Sequence, residues 1–222
     1  MAKTRNFLGI VIALALLSGC AGITRVPVRE AMEENHKVPA GTIEGNQFTG
    51  IRYPFKVSIP SNWKMSTEFP SFLVEFGYDK PDPHDKEQTE LYIFNPQTQS
   101  SIQIDLTPAD RYTVFSQPGI EKDTNLGTES LTSEWKKEYG EGFKIEVGPT
   151  EPISLKGVQY AAKKYVTYVV DGVNREQGWI YAFSEPYQIF ILYMMLDKDG
   201  MGMKDRQDMK TILDSFELMS KK

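Results

Sequence analysis

Hydrophobic and polar positions alternate in several short runs along this chain. Phe55, Val57 and Ile59 are separated by Lys56 and Ser58, a period of two that predicts a half-buried strand, and Pro60-Ser61-Asn62 then turns the chain to present Trp63. The same alternation at Phe72, Val74 and Phe76 predicts another strand. The polar run from Asp79 to Glu90, with Pro81 and Pro83, reads as a loop. Leu91 to Phe94 and Ile102 to Leu106 predict a strand pair joined through Asn95-Pro96. After a long connection from Pro108, Leu131, Trp135 and Tyr139 recur every four residues and predict a first helix that stops at Gly140.

Phe143, Ile145 and Val147 predict a further strand, continued at Ile153 to Leu155 after the Gly148-Pro149 break. Tyr160 to Val170 and Val173 to Phe183 flank Asp171-Gly172, a pair suited to the positive φ angles of a type I′ turn, so a long hairpin is predicted. Tyr187 to Leu196 is apolar at nearly every position, as a central strand covered on both faces must be. Asp205 and Asp208 favour the start of a last helix, whose buried stripe is Met209, Ile212, Leu213 and Phe216. Seven or eight strands and two amphipathic helices predict an α+β fold, an antiparallel sheet sandwiched between helices in an α/β/α arrangement.

The first residues follow a different pattern. Lys3 and Arg5 precede an apolar run from Phe7 to Leu17 that is too short for a permanent membrane span, as in a secretory signal. Its end, Leu17-Ser18-Gly19-Cys20, resembles the lipobox of bacterial lipoproteins, which implies cleavage between Gly19 and Cys20 and lipid on the Cys20 thiol. With several acyl chains at about 0.8 kcal/mol per buried methylene, the chain would be held at a membrane by this residue. Ala21 stands where the resemblance places an aspartate for inner-membrane retention, so an outer-membrane location facing the periplasm is expected. Three segments follow: a signal peptide over 1–19, a lipidated N-terminus and flexible tether over 20–47, and a globular domain over 48–219. As a coil the tether would reach roughly 30 Å, and about 90 Å fully extended.

Composition narrows the chemistry. The formal net charge is −5, and removal of Lys3 and Arg5 with the signal takes it to −7. With no basic stripe, nucleic acid is an unfavoured partner. Cys20 is the only cysteine, so its lipidation leaves no thiol for a disulfide or for catalysis, and the domain must rest on its hydrophobic core.

Tyr53-Pro54-Phe55-Lys56-Val57-Ser58-Ile59-Pro60-Ser61-Asn62-Trp63 near the start and Met209-Lys210-Thr211-Ile212-Leu213-Asp214-Ser215-Phe216 at the end carry a resemblance to the PsbP-like family, over about Phe48 to Leu218. The photosystem extrinsic protein PsbP and the Ran-binding Mog proteins share this fold. The resemblance implies a binding or assembly protein without a catalytic centre, and in bacteria often a lipoprotein.

Candidate chemistry is sparse. A serine hydrolase needs a base, and the two histidines are His36 on the tether and His84 in the proline-broken loop; no Gly-x-Ser-x-Gly elbow occurs. Asp79, Asp82, Asp85 and Glu87, and separately Asp197-Lys198-Asp199-Gly200, invite a calcium reading but lack EF-hand spacing. Gly200-Met201-Gly202 opens a helix as a dinucleotide loop does, yet Asp205 replaces the third glycine. Neither a catalytic residue, a metal site nor a cofactor is therefore assigned. The aromatic residues Tyr160, Tyr165, Tyr168, Trp179, Tyr181, Phe183, Tyr187, Phe190 and Tyr193 are read chiefly as core. The expected function is a membrane-anchored module that binds an envelope protein, with a carrier of a small apolar or envelope ligand as the alternative and a hydrolase third.

Overall fold

A computed structural model describes residues 38–76, 78, 80–82, 89–109, 113–198 and 200–219. Strands β1 (Gly41–Glu44), β2 (Gln47–Gly50), β3 (Phe55–Ser58) and β4 (Lys64–Ser66) are followed by a 3₁₀ turn at Ser71–Phe76. Then come β5 (Thr89–Phe94), β6 (Ser101–Pro108), helix α1 (Gln117–Tyr139), β7 (Ile145–Val147) and β8 (Glu151–Pro152). The chain finishes with β9 (Tyr160–Val170), β10 (Val173–Ser184), β11 (Tyr187–Leu196), helix α2 (Gly202–Ser215) and β12 (Glu217–Leu218).

The strands form two antiparallel sheets. The larger runs β4-β5-β6-β11-β10-β9-β7, with β8 also on β9, and the smaller runs β1-β2-β3-β12. The predicted hairpin is present: Val170 pairs with Val173, and Asp171 (φ 53°) and Gly172 (φ 75°) make the turn. β11 lies between β6 and β10, so its unbroken apolar run is explained by cover on both faces.

Helix α1 packs on one face of the large sheet, where Leu131 and Trp135 meet Val166, Tyr168 and Trp179. Ile120, nearer its start, joins Ala109, Ala162 and Phe183. The opposite face carries the main core: Ile104, Ile180, Ile191 and Tyr193 meet Met209 and Ile212 of α2, and Phe48, Phe55 and Val57 of the small sheet. The expected antiparallel sheet between helical layers is thus observed, with a second sheet beside α2 in one of those layers.

Several local expectations change. Residues 41–47, assigned to the tether, hold β1 and the start of β2, because polar Thr42 and Glu44 sit on an edge strand with little to bury. Phe72, Val74 and Phe76 are in a 3₁₀ turn: Phe72, Leu73 and Phe76 turn inward while Val74 and Glu75 face out, a period of three rather than two. Helix α1 begins at Gln117, well before Leu131. Ser116 caps it by accepting from the Gly119 amide at 3.2 Å, and Pro118 occupies its first turn. Asn125, Gly127 and several threonines had disguised that half as a loop. Past β8, Leu155 turns inward in a tight bend closed by the Val158 amide, so Ile153 to Leu155 is not a strand.

Candidate functional site

Among the described residues four clusters of buried or partly buried polar groups each tie two parts of the fold together. The most enclosed is Asp205 in the first turn of α2, with no exposed surface. Asn95 Nδ2 donates to Asp205 Oδ1 at 2.9 Å, and Thr98 Oγ1 and Ser100 Oγ donate to Asp205 Oδ2 at 2.5 and 2.6 Å. All three donors come from the β5–β6 turn, where Gln99 holds a left-handed φ of 66°. Ser100 Oγ also accepts the Leu196 amide at 3.0 Å, so one hydroxyl joins that turn to the end of β11.

A second cluster sits between α2 and β10. Arg206 Nε donates to Glu176 Oε2 at 2.7 Å, and Tyr193 OH donates to Glu176 Oε1 at 3.3 Å. Burial first, and the Glu176 charge second, push the Tyr193 phenol pKa well above its ordinary value. The third is Arg52, whose Nη1 donates to buried Glu90 at 2.8 Å and whose Nε donates to Val38 O at 3.0 Å, fixing the incoming chain to β5. The fourth is Lys164, only 6% exposed, with Nζ donating to Gly148 O and Thr150 Oγ1 at 3.2 Å. Burial lowers its pKa below the ordinary 10.5.

Chemically these clusters hold charge in place. The Asp205 carboxylate accepts from three neutral donors, and Glu90 and Glu176 each face a guanidinium, so each of these carboxylates has a partner within the domain. No group of three His, Cys, Asp or Glu among the described residues is arranged to hold a metal ion. No helix among them is long and apolar enough to cross a membrane.

The residues singled out in the sequence separate into two sets. Gly19, Cys20, His36, Asp79, His84, Asp85, Glu87 and Asp199 lie outside the described residues. Asp197 Oδ1 accepts the Gly202 amide at 3.0 Å, and Gly200 (φ 73°) turns the chain into α2, so Gly200-Met201-Gly202 is the bend that starts this helix. Of the aromatic run, Tyr168, Trp179, Phe183, Tyr187 and Tyr193 are buried, and Trp179 Nε1 donates to Thr124 O of α1 at 2.7 Å. Tyr160, Tyr165, Tyr181 and Phe190 are partly buried against the same clusters. The run is core. Asp205 was read as a favourable charge at a helix start and as the residue replacing the third glycine of a dinucleotide loop; the signal that it does more was the Asn95-x-x-Thr98-x-Ser100 turn, whose partner is 105 or more positions away.

The architecture has counterparts among solved structures. The solution structure of cyanobacterial PsbP from Synechocystis sp. PCC 6803 is similar with a TM-score of 0.52 at 10% identity, over 91% of this chain and 99% of that one. LpqN of Mycobacterium tuberculosis, involved in cell envelope biogenesis, gives 0.48 at 11% identity over 75% of this chain and 84% of its own. A Bacteroides thetaiotaomicron structure gives 0.42 at 9% identity over 81% of this chain and 50% of its own. No protein-family model matches the sequence, and no curated protein does. At this identity the likeness is one of fold: an α+β domain of PsbP-like architecture.

Proposed function

We propose that this chain is a lipid-anchored, periplasm-facing module that binds an envelope protein and carries out no catalysis. The observation that carries the reading is the state of the enclosed carboxylates: Glu90, Glu176 and Asp205 each bind side chains of the domain itself, as structural charges do. The PsbP-like fold and the lipobox resemblance at Leu17-Ser18-Gly19-Cys20 support it further. In this reading Cys20 carries the lipid, residues 1–19 are removed, and the chain between Cys20 and Arg52-held Val38 sets how far the domain stands from the membrane. Confinement to a surface raises the effective concentration of domain and partner without any new contact.

In-cell crosslinking of the full-length protein in its own host is the test. Recovery of one envelope protein with wild type and its loss with Cys20→Ser supports an anchored binding module; recovery of none counts against it. A second reading, a carrier of a small apolar or envelope ligand, is favoured by Tyr181, Phe190 and Leu192, which remain half-buried on the α1 side of the large sheet. Native mass spectrometry of freshly purified protein distinguishes it through a retained ligand mass.

A further inference from the structure

Two cations at one end of the large sheet are held in a way the clusters above are not. Arg175 of β10 is registered opposite Leu196 of β11, two residues before Lys198, and the Asp197 amide bonds to Asn174 O. The two side chains therefore rise from adjoining positions. Both reach the same ring: Arg175 Cζ is 5.5 Å and Lys198 Nζ 5.9 Å from the centroid of Phe76 in the 3₁₀ turn. Among the described residues neither makes an ion pair, unlike the guanidinium groups of Arg52 and Arg206. Lys198 donates to the neutral Gln99 Oε1. Arg175 lies beside the Tyr168 phenol, and its Nε is buried with no hydrogen-bond partner among the described residues.

An aromatic face attracts a cation through its quadrupole and takes up none of its N–H donors. A guanidinium or ammonium held this way is positioned yet keeps its hydrogen-bonding capacity, unlike one closed by a carboxylate. Both Arg175 and Lys198 are partly exposed, although Arg175 Nε itself is closed to solvent. Two such cations a strand apart, one of them a planar fork, match a doubly charged oxyanion better than a single carboxylate.

We propose that Arg175 and Lys198, positioned by Phe76, bind the phosphate group of a phosphate monoester, either a soluble one or a phospholipid headgroup of the phosphatidic acid kind. The site is independent of the envelope-protein reading, since it requires neither the anchor nor the partner.

Isotope-labelled full-length chain titrated with inorganic phosphate tests it by NMR. Saturable shifts are expected at the amides of 174–176 and 196–198. Arg175→Gln and Lys198→Met are each expected to weaken binding by about tenfold, the worth of one charge-assisted hydrogen bond. Because Arg175 packs beside Tyr168, Lys198→Met carries the test if Arg175→Gln loses its native spectrum. Absence of saturation by roughly 10 mM phosphate, or equal affinity in wild type and Lys198→Met, overturns the proposal. A parallel sedimentation with phosphatidic acid vesicles, whose headgroup is a phosphomonoester, separates the two sources. Binding displaced by phosphate indicates a headgroup ligand, and phosphate binding without vesicle binding indicates a soluble ester.

Discussion

Ser100 Oγ donates to Asp205 Oδ2 at 2.6 Å while accepting the Leu196 amide at 3.0 Å. One hydroxyl thereby fixes the start of α2, the β5–β6 turn and the end of β11 relative to one another. Because Asp205 has no exposed surface, water cannot replace any bond lost there.

Asp205→Ala leaves the side chains of Asn95, Thr98 and Ser100 without their acceptor, at about 1–3 kcal/mol for each buried unsatisfied group. A loss of at least about 3 kcal/mol is expected in urea unfolding, with an unchanged m-value. Ser100→Ala, which removes one donor and the Leu196 acceptor, is expected to cost less than Asp205→Ala. The reverse order would mean that the carboxylate is not the centre of this junction.

Gly178 has a different vulnerability. It is registered opposite Tyr193, and a Cβ at this position would lie 2.3 Å from the Tyr193 ring and hydroxyl. Tyr193 is 1% exposed and bonded to Glu176, so it has no free direction in which to yield. Gly178→Ala is expected to destabilise the domain by about 1–3 kcal/mol through overpacking. Gly178→Ala combined with Tyr193→Phe is expected to recover part of that loss, which a double-mutant cycle measures.

Gly172 is constrained by its backbone instead of by its neighbours. Its φ of 75° follows Asp171 at 53°, and nothing lies within 4 Å of a Cβ built on it. Gly172→Ala is therefore expected to cost about 1 kcal/mol through left-handed strain alone. Thermal unfolding should show this small shift with no change in the sheet's circular dichroism.

Asp208 gives the domain an acid-sensitive contact. Partial burial would raise its pKa, but hydrogen bonds from Lys204, Asn62 and Trp63 outweigh that and hold it below the ordinary 3.8. A carboxylate depressed in the folded state stabilises above its unfolded value, and the contribution disappears as pH falls through the folded one. The Asp208 part of the stability is thus full near neutrality and lost below about pH 3.8. Asp208→Asn is expected to flatten the stability profile over that acid range; equal acid slopes in wild type and variant would refute the assignment.

By itself the sequence determined those features whose causes are local. Asp171-Gly172 can take the positive φ angles of a two-residue turn, so β9 and β10 were legible almost to the residue. The apolar run of Tyr187–Leu196 required a central strand because both its faces had to be covered. Met209 and Ile212 required a helix with one buried face, while Phe216 packs into the same core just past its end in extended backbone. Tertiary structure decided what those constraints left open. Phe72 and Phe76 reach inward through a 3₁₀ turn because Phe72 meets Phe94 at 5.2 Å and Phe76 meets Arg175, contacts no local alternation encodes. Gln117 to Ser130 became helix because the sheet face beneath it needed Ile120 and Thr124, despite poor intrinsic propensity. Asp205 found its donors on a turn more than a hundred residues earlier. Local conformational preference reaches a few residues along the chain, whereas the burial of a charge is resolved by whichever groups the fold brings within 3 Å of it.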